Sequence, residues 1–185
     1  MALDPVRRPP FRLARTVASA LVVAGLVGYC GAPAQARGGS AAAGSAREIL
    51  TLVAAGRISI RDYSELASAD QADRSLASQQ LKDLAAGRPA SLSRRCFRRP
   101  HPAVRADVRI LRFLAALGLR SHYTINVLFG QCHTRTSLHY RGRAVDLRCG
   151  LAIGQADAVG ARYGVRRNVE TCRANGHWHY SVGGR

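Results

Sequence analysis

Pairs of the Cys-x-x-Cys kind are missing from this 185-residue chain, and so is any internal repeat. The first absence argues against a closed structural zinc site built on thiolates. The second leaves a single unrepeated domain. Lysine is almost absent too: of 28 basic residues only Lys82 is a lysine, so the excess over 11 acidic residues reads partly as a bias towards arginine and not as a binding surface in itself. Beyond the first 36 residues no run is long and apolar enough to cross a bilayer. Acidic residues thin out towards the end: after Asp146 only Asp157 and Glu170 remain, and a carboxylate base must be sought among few candidates.

What is present begins with a leader. Arg7, Arg8, Arg12 and Arg15 precede the apolar run "TVASALVVAGLVGYCGA", which closes on "AQA". This is the layout of a secretory signal peptide over 1–36, cleaved after Ala36, with an uncleaved anchor as the alternative. Tyr29 ahead of Cys30 argues against lipid attachment at that cysteine. Cleavage removes those four arginines and Asp4, leaving 24 basic and 10 acidic groups, a net charge of +14. An exported chain of this charge is expected at an anionic cell wall and its polymers, not on nucleic acid, with no stable membrane insertion after cleavage and as a monomer. Cys96, Cys132, Cys149 and Cys172 then make an even set in an oxidising compartment, which predicts two disulfides.

The mature chain reads as a flexible leader over 37–44, a helical preface over 45–95 and a main domain over 96–185. Ser45 with Glu48 forms a capping box that starts a helix running to about Gly56. A second helix spans about Ser75–Ala86, before "GRP". "HPAVRADVRILRFLAALG" is the clearest helix, with Val104, Val108, Leu111 and Ala115 on one stripe and Arg105, Arg109 and Arg112 opposite. "YTINVLFG" reads as a buried strand and Gln155–Tyr163 as a short helix. In "VRRNVETCRANGHWHYSV" the pair Asn175-Gly176 predicts a two-residue hairpin turn. Its register sets Cys172 against His179 and Glu170 against Ser181, with Trp178 and Tyr180 turned to the other side.

Four of six histidines fall in or beside two short segments, "SLHYRGRAVDL" and "HWHYSV". On a strand His177 and His179 share a face. His139 and Asp146 are seven apart, and Gly142 lets the chain bend so that both reach one point. Two imidazoles and a carboxylate with a vacant fourth position suit a catalytic zinc site, with His139, Asp146 and His179 as ligands. His177 would contact the oxyanion of an attacked carbonyl. Of the two late acids, Asp157 sits in the predicted helix, so Glu170, diagonally beside His179 in the expected register, is the candidate general base. The cysteines could instead join the histidines in a closed site, and Cys172 is expected in a disulfide with Cys149.

These segments resemble the hedgehog signalling domain and its bacterial relatives, the zinc D-alanyl-D-alanine carboxypeptidases and L-alanyl-D-glutamate endopeptidases of peptidoglycan. The shared pattern, S-x-H-x-x-G-x-A-x-D and then H-x-H, is met at Ser137, His139, Gly142, Ala144, Asp146, His177 and His179. The resemblance covers about Val104–Val182. It implies an α+β fold in which a small, mainly antiparallel sheet carries zinc and helices cover its back. It also implies zinc on His139, Asp146 and His179, and an extra active-site histidine at His133. The peptidases usually carry an acid three positions before the last histidine, where this chain has Gly176; hedgehog domains carry a glutamate further upstream. The expectation is a secreted, cell-wall-associated zinc peptidase cutting peptidoglycan stem peptides, the alternative a zinc-retaining module that binds wall peptides or a protein without turnover.

Overall fold

A computed structural model describes residues 34–62, 71–96, 103–168, 172 and 176–183. The segment 1–36, expected as a signal peptide, lies outside these except for its last three residues. The architecture is α+β: a mixed five-stranded sheet and, among the described residues, four helices. In chain order these are α1 (Ala34–Ala54), β1 (Ile58–Ile60), α2 (Ala77–Ala85), β2 (Ala90–Ser91), β3 (Ala103–Val104), α3 (Val108–Gly118), β4 (Tyr123–Val127), β5 (Ala144–Arg148), α4 (Ile153–Arg162), β6 (Val165–Arg167) and β7 (His177–Val182). No described helix is long and apolar enough to cross a membrane.

The sheet order is β1-β4-β5-β7-β6, parallel at β1-β4 and antiparallel elsewhere, while β2 and β3 form a separate pair. Alternation sorts the side chains. Ile125, Val145, Leu147, Val165, Tyr180 and Val182 are buried on one face, against α3 and its neighbours, where the Phe113 and Tyr180 rings lie 5.1 Å apart. Asp146, His177 and His179 take the other face. Helices therefore cover the back of a mainly antiparallel sheet whose front carries the histidines.

The helix of "HPAVRADVRILRFLAALG" starts later than its apolar stripe implies. Asp107 caps it, its carboxylate accepting from the Arg109 amide at 3.0 Å, while Val104 belongs to β3. An aspartate cap offers the first turn an acceptor that the valine before it cannot, and the helix starts there. At the other end, α1 includes residues 37–44, expected as a leader, and Ser45 lies inside the helix instead of capping it. Alanine-rich sequence favours helix, and Ala43, Ala46 and Ile49 are buried.

The segment 45–95 contributes β1 as an edge of the central sheet, a strand too short for its period to be read in the sequence. Gly118 marks how tightly these parts fit, for a Cβ there would meet Ile58 and Leu52 side chains at 2.7–3.0 Å.

Both disulfides form: Cys96 with Cys132 and Cys149 with Cys172, with Cα atoms 5.1 and 5.9 Å apart. The expected hairpin register is overturned. β6 pairs with β7 as Val165↔Val182, Arg166↔Ser181 and Arg167↔Tyr180, so Arg166, not Glu170, opposes Ser181. This pairing buries Val165 beside Val182 and brings Arg167 to Asp157, and Cys172 is tied across to Cys149 instead of facing His179. The slip is an even four residues, so the facing directions of the β7 side chains survive it.

Candidate metal centre

Asp146 stands in the middle of β5 opposite His179 on β7, while His177 lies opposite Arg148, two positions along. Antiparallel pairing thus sets an acid and two imidazoles on one sheet face. His139 enters from a 3-10 turn, His139–Arg141, that follows a loop after β4. Ser137 Oγ accepts from the His139 amide at 3.3 Å, and Gly142 ends the turn at φ 67°. A Cβ on Gly142 would fall 2.2 Å from the Arg105 carbonyl oxygen, so both its conformation and the close approach require glycine. Those two roles account for the serine and the glycine of the motif.

Three donor atoms converge. His179 Nδ1 is 2.9 Å from Asp146 Oδ1 and 3.2 Å from His139 Nε2, which is 3.3 Å from Asp146 Oδ1. Ligands about 2.0–2.1 Å from a tetrahedral centre sit about 3.3 Å from one another, so this triangle has the size of one face of a zinc coordination sphere. His139 Nδ1 meets the Leu128 carbonyl at 2.7 Å. As a donor there it leaves the Nε2 lone pair aimed at the group, the usual support of a metal-binding histidine. Burial alone would push the Asp146 carboxyl up, but the adjoining His139 and His179 rings outweigh it and hold the group well below the usual carboxylate range. Nitrogen and oxygen donors, one ionised, fit a divalent ion.

His133 stacks on His139, ring centroids 4.1 Å apart and planes 2° apart, and His133, His139 and Asp146 also form a group whose ligand atoms lie within 4.8 Å of one another. A His/His/Asp cluster that could hold a metal ion is therefore present, with His133 and His179 as the two candidates for its third position. The His133 loop is held by Tyr140, whose hydroxyl accepts from the His133 amide at 2.6 Å. His133 Nε2 is buried with no hydrogen-bond partner. Burial, then the neighbouring His139, lowers the His133 pKa to about 4 and keeps the ring neutral.

Exposure rises across the group: the side chains of His139 and Asp146 are 1% and 2% exposed, that of His179 14% and that of His177 26%. His177 Nε2 lies 3.6 Å from Asp146 Oδ2. The cluster is thus closed at its base and open on the His177 side. Glu170 lies outside the described residues. Asp157 is on the opposite face of the sheet, its carboxylate held by Arg167 at 2.9 Å and by the Tyr180 hydroxyl at 2.9 Å. Gly176 has φ 68°, a conformation that a side chain strains, so an acid is not simply exchanged for glycine there.

Sequence reading missed the support behind His139. Gln80 of α2 is fully buried; its side-chain nitrogen donates to the Ser91 carbonyl at 2.6 Å and its oxygen accepts from the Phe129 amide at 3.0 Å. Phe129 follows Leu128, the residue whose carbonyl meets His139, so α2 steadies the loop that aims the imidazole. No local pattern marks Gln80, because its partners are 11 and 49 residues away. No family model, no curated protein and no solved structure matches this chain.

Proposed function

We propose that the chain is a secreted zinc-dependent peptidase acting on short peptides of the peptidoglycan stem type, with zinc on His139, Asp146 and His179. The observation that carries the reading is the donor triangle of 2.9, 3.2 and 3.3 Å with one accessible side. Zinc held there supplies Lewis acidity, which polarises a peptide carbonyl and acidifies water.

The chain's own groups divide the remaining work. His177, the most exposed of the set, donates a hydrogen bond to the carbonyl oxygen as negative charge develops on it. His133 backs the ring of His139 and bounds the site with a neutral imidazole. Glu170 is assigned to carry the proton to the leaving amine: after Asp146 the sequence offers only Asp157 and Glu170, and Asp157 is engaged by Arg167. The two disulfides are compatible with an extracellular setting.

The test is cleavage of defined peptidoglycan fragments by zinc-loaded protein, followed by mass spectrometry. Turnover that disappears on chelation and in Glu170→Ala supports the assignment; uncut fragments at stoichiometric zinc refute it. A second reading, a zinc-retaining module that binds wall peptides without turnover, is favoured by Gly176 at φ 68° where the peptidases carry an acid. Binding of fragments without any cleavage distinguishes it.

A further inference from the structure

The hydrogen bond that orients His139 is the last step of a longer polar chain. The Leu128 carbonyl, which accepts from His139 Nδ1 at 2.7 Å, and the Phe129 amide, which donates to Gln80 Oε1 at 3.0 Å, belong to one peptide unit. That unit is planar and trans, so its carbonyl and its N–H point in opposite directions, and turning one turns the other. On its far side Gln80 donates from Nε2 to the Ser91 carbonyl at 2.6 Å. A single relay thus runs from β2 through α2 and one backbone peptide to the imidazole.

Its direction is fixed throughout. A backbone carbonyl only accepts and an amide N–H only donates, so one orientation of the Gln80 side chain satisfies both Ser91 and Phe129. The Leu128 carbonyl in turn calls for a proton on His139 Nδ1, which leaves the Nε2 lone pair for an ion. Each bond also polarises the next, and a Phe129 amide that donates to Gln80 makes the Leu128 carbonyl a stronger acceptor. The frame is rigid: Gln80, Leu128 and Phe129 are fully buried, and a Cβ on Gly130 would collide with the Ser75 carbonyl oxygen. Asp73 ties the two flanks of Gln80 together, its carboxylate accepting from the Ser75 amide at 3.2 Å ahead of α2 and from the Ser93 hydroxyl and Arg94 amide at 3.2 and 2.8 Å beyond β2. With an apolar side chain at position 80 the buried Phe129 amide loses its partner, and rotation of the peptide towards another swings the Leu128 carbonyl away from His139.

We infer that Gln80 is a positioning residue of the metal centre, acting through the Leu128–Phe129 peptide to fix the tautomer and the aim of His139, so that α2 sets how tightly the ion is held. The inference rests on the metal ligands and not on peptide cleavage, and it applies equally to a chain that retains zinc without turnover.

The test measures zinc and cobalt(II) binding by the full chain, by Gln80→Met, which keeps the shape and removes both hydrogen bonds, and by Leu84→Ala, which opens a cavity in the core under α2 without touching the relay. Gln80→Met is expected to weaken both metals by about tenfold or more and to change the visible absorption of the cobalt form, while Leu84→Ala binds within about threefold of wild type with an unchanged spectrum. Wild-type affinity and spectrum in Gln80→Met, or an equal loss in Leu84→Ala, overturns the inference. Should Gln80→Met fail to fold, NMR of the wild-type chain decides: zinc is expected to shift the Phe129 amide and the Gln80 side-chain amide more than that of Gln79, the neighbour outside the relay, and unmoved Gln80 resonances overturn the role. A wild-type chain that binds neither metal removes the inference along with the centre. Tight metal binding without cleavage of any peptide sinks the peptidase and leaves the role of Gln80 standing.

Discussion

Free zinc at about one hundred times its dissociation constant stabilises a protein that binds it only when folded by about 2.7 kcal/mol. In this chain the donors come from a loop, β5 and β7 and converge only in the folded state. Each kcal/mol moves the melting temperature of a domain of about 150 residues by about 2–4 °C, so zinc is expected to raise it by about 5–11 °C over chelated protein. The discriminating step is which histidine the shift depends on. His179 Nδ1 lies 2.9 and 3.2 Å from the other two donors, the span of a shared tetrahedral ion, whereas the group containing His133 is bounded only by 4.8 Å. His179→Ala should therefore abolish the shift and His133→Ala should keep most of it, each variant being compared with itself with and without zinc. Differential scanning calorimetry with metal analysis of the same samples reads both. A wild-type protein indifferent to zinc, or an undiminished shift in His179→Ala, refutes the ligand assignment.

Gly142→Ala should lose at least about 1–3 kcal/mol in urea unfolding from the left-handed backbone alone, with the 2.2 Å approach to the Arg105 oxygen adding to it; unchanged stability refutes the turn argument. Asp83 is buried, which would raise its pKa, but hydrogen bonds from Arg74 and Arg88 hold it below the usual carboxylate range. With its folded pKa below the unfolded value of about 3.9, its stabilisation is complete above about pH 5 and lost as pH falls through the folded pKa. Asp83→Asn should thus cost about 1–3 kcal/mol at pH 7 and progressively less below pH 4, by urea titrations at each pH. Breaking the Cys149–Cys172 bridge, which closes a separation of 23 residues, should cost about 2–5 kcal/mol, and peptide mapping should return this pair and Cys96–Cys132.

The metal centre was legible because its residues obey local rules. Strand alternation sends His177 and His179 to one side, and the glycine between His139 and Asp146 marks a bend that only glycine fits. The stripe of α3 declared a core-facing helix, although Asp107, itself a cap signal, went unread beside the valines. What escaped depends on distant partners. The Asn175-Gly176 pair is a strong turn signal within its own neighbourhood, yet the register follows Val165 packing beside Val182 and the Arg167–Asp157 pair. Gln80 and β1 act through residues far along the chain, which no period or spacing announces.

The parallel edge where β1 joins β4 has a kinetic consequence. Ile58 meets Tyr123, 65 positions further along the chain, so the β1 edge of the sheet is completed only after a long loop has closed. β5, β7 and the histidine turn can assemble among themselves sooner. Refolding followed at the metal centre is therefore expected to run ahead of refolding followed at Ser59, and a chain that emerges amino end first must hold β1 unpaired until nearly two thirds of its length has emerged.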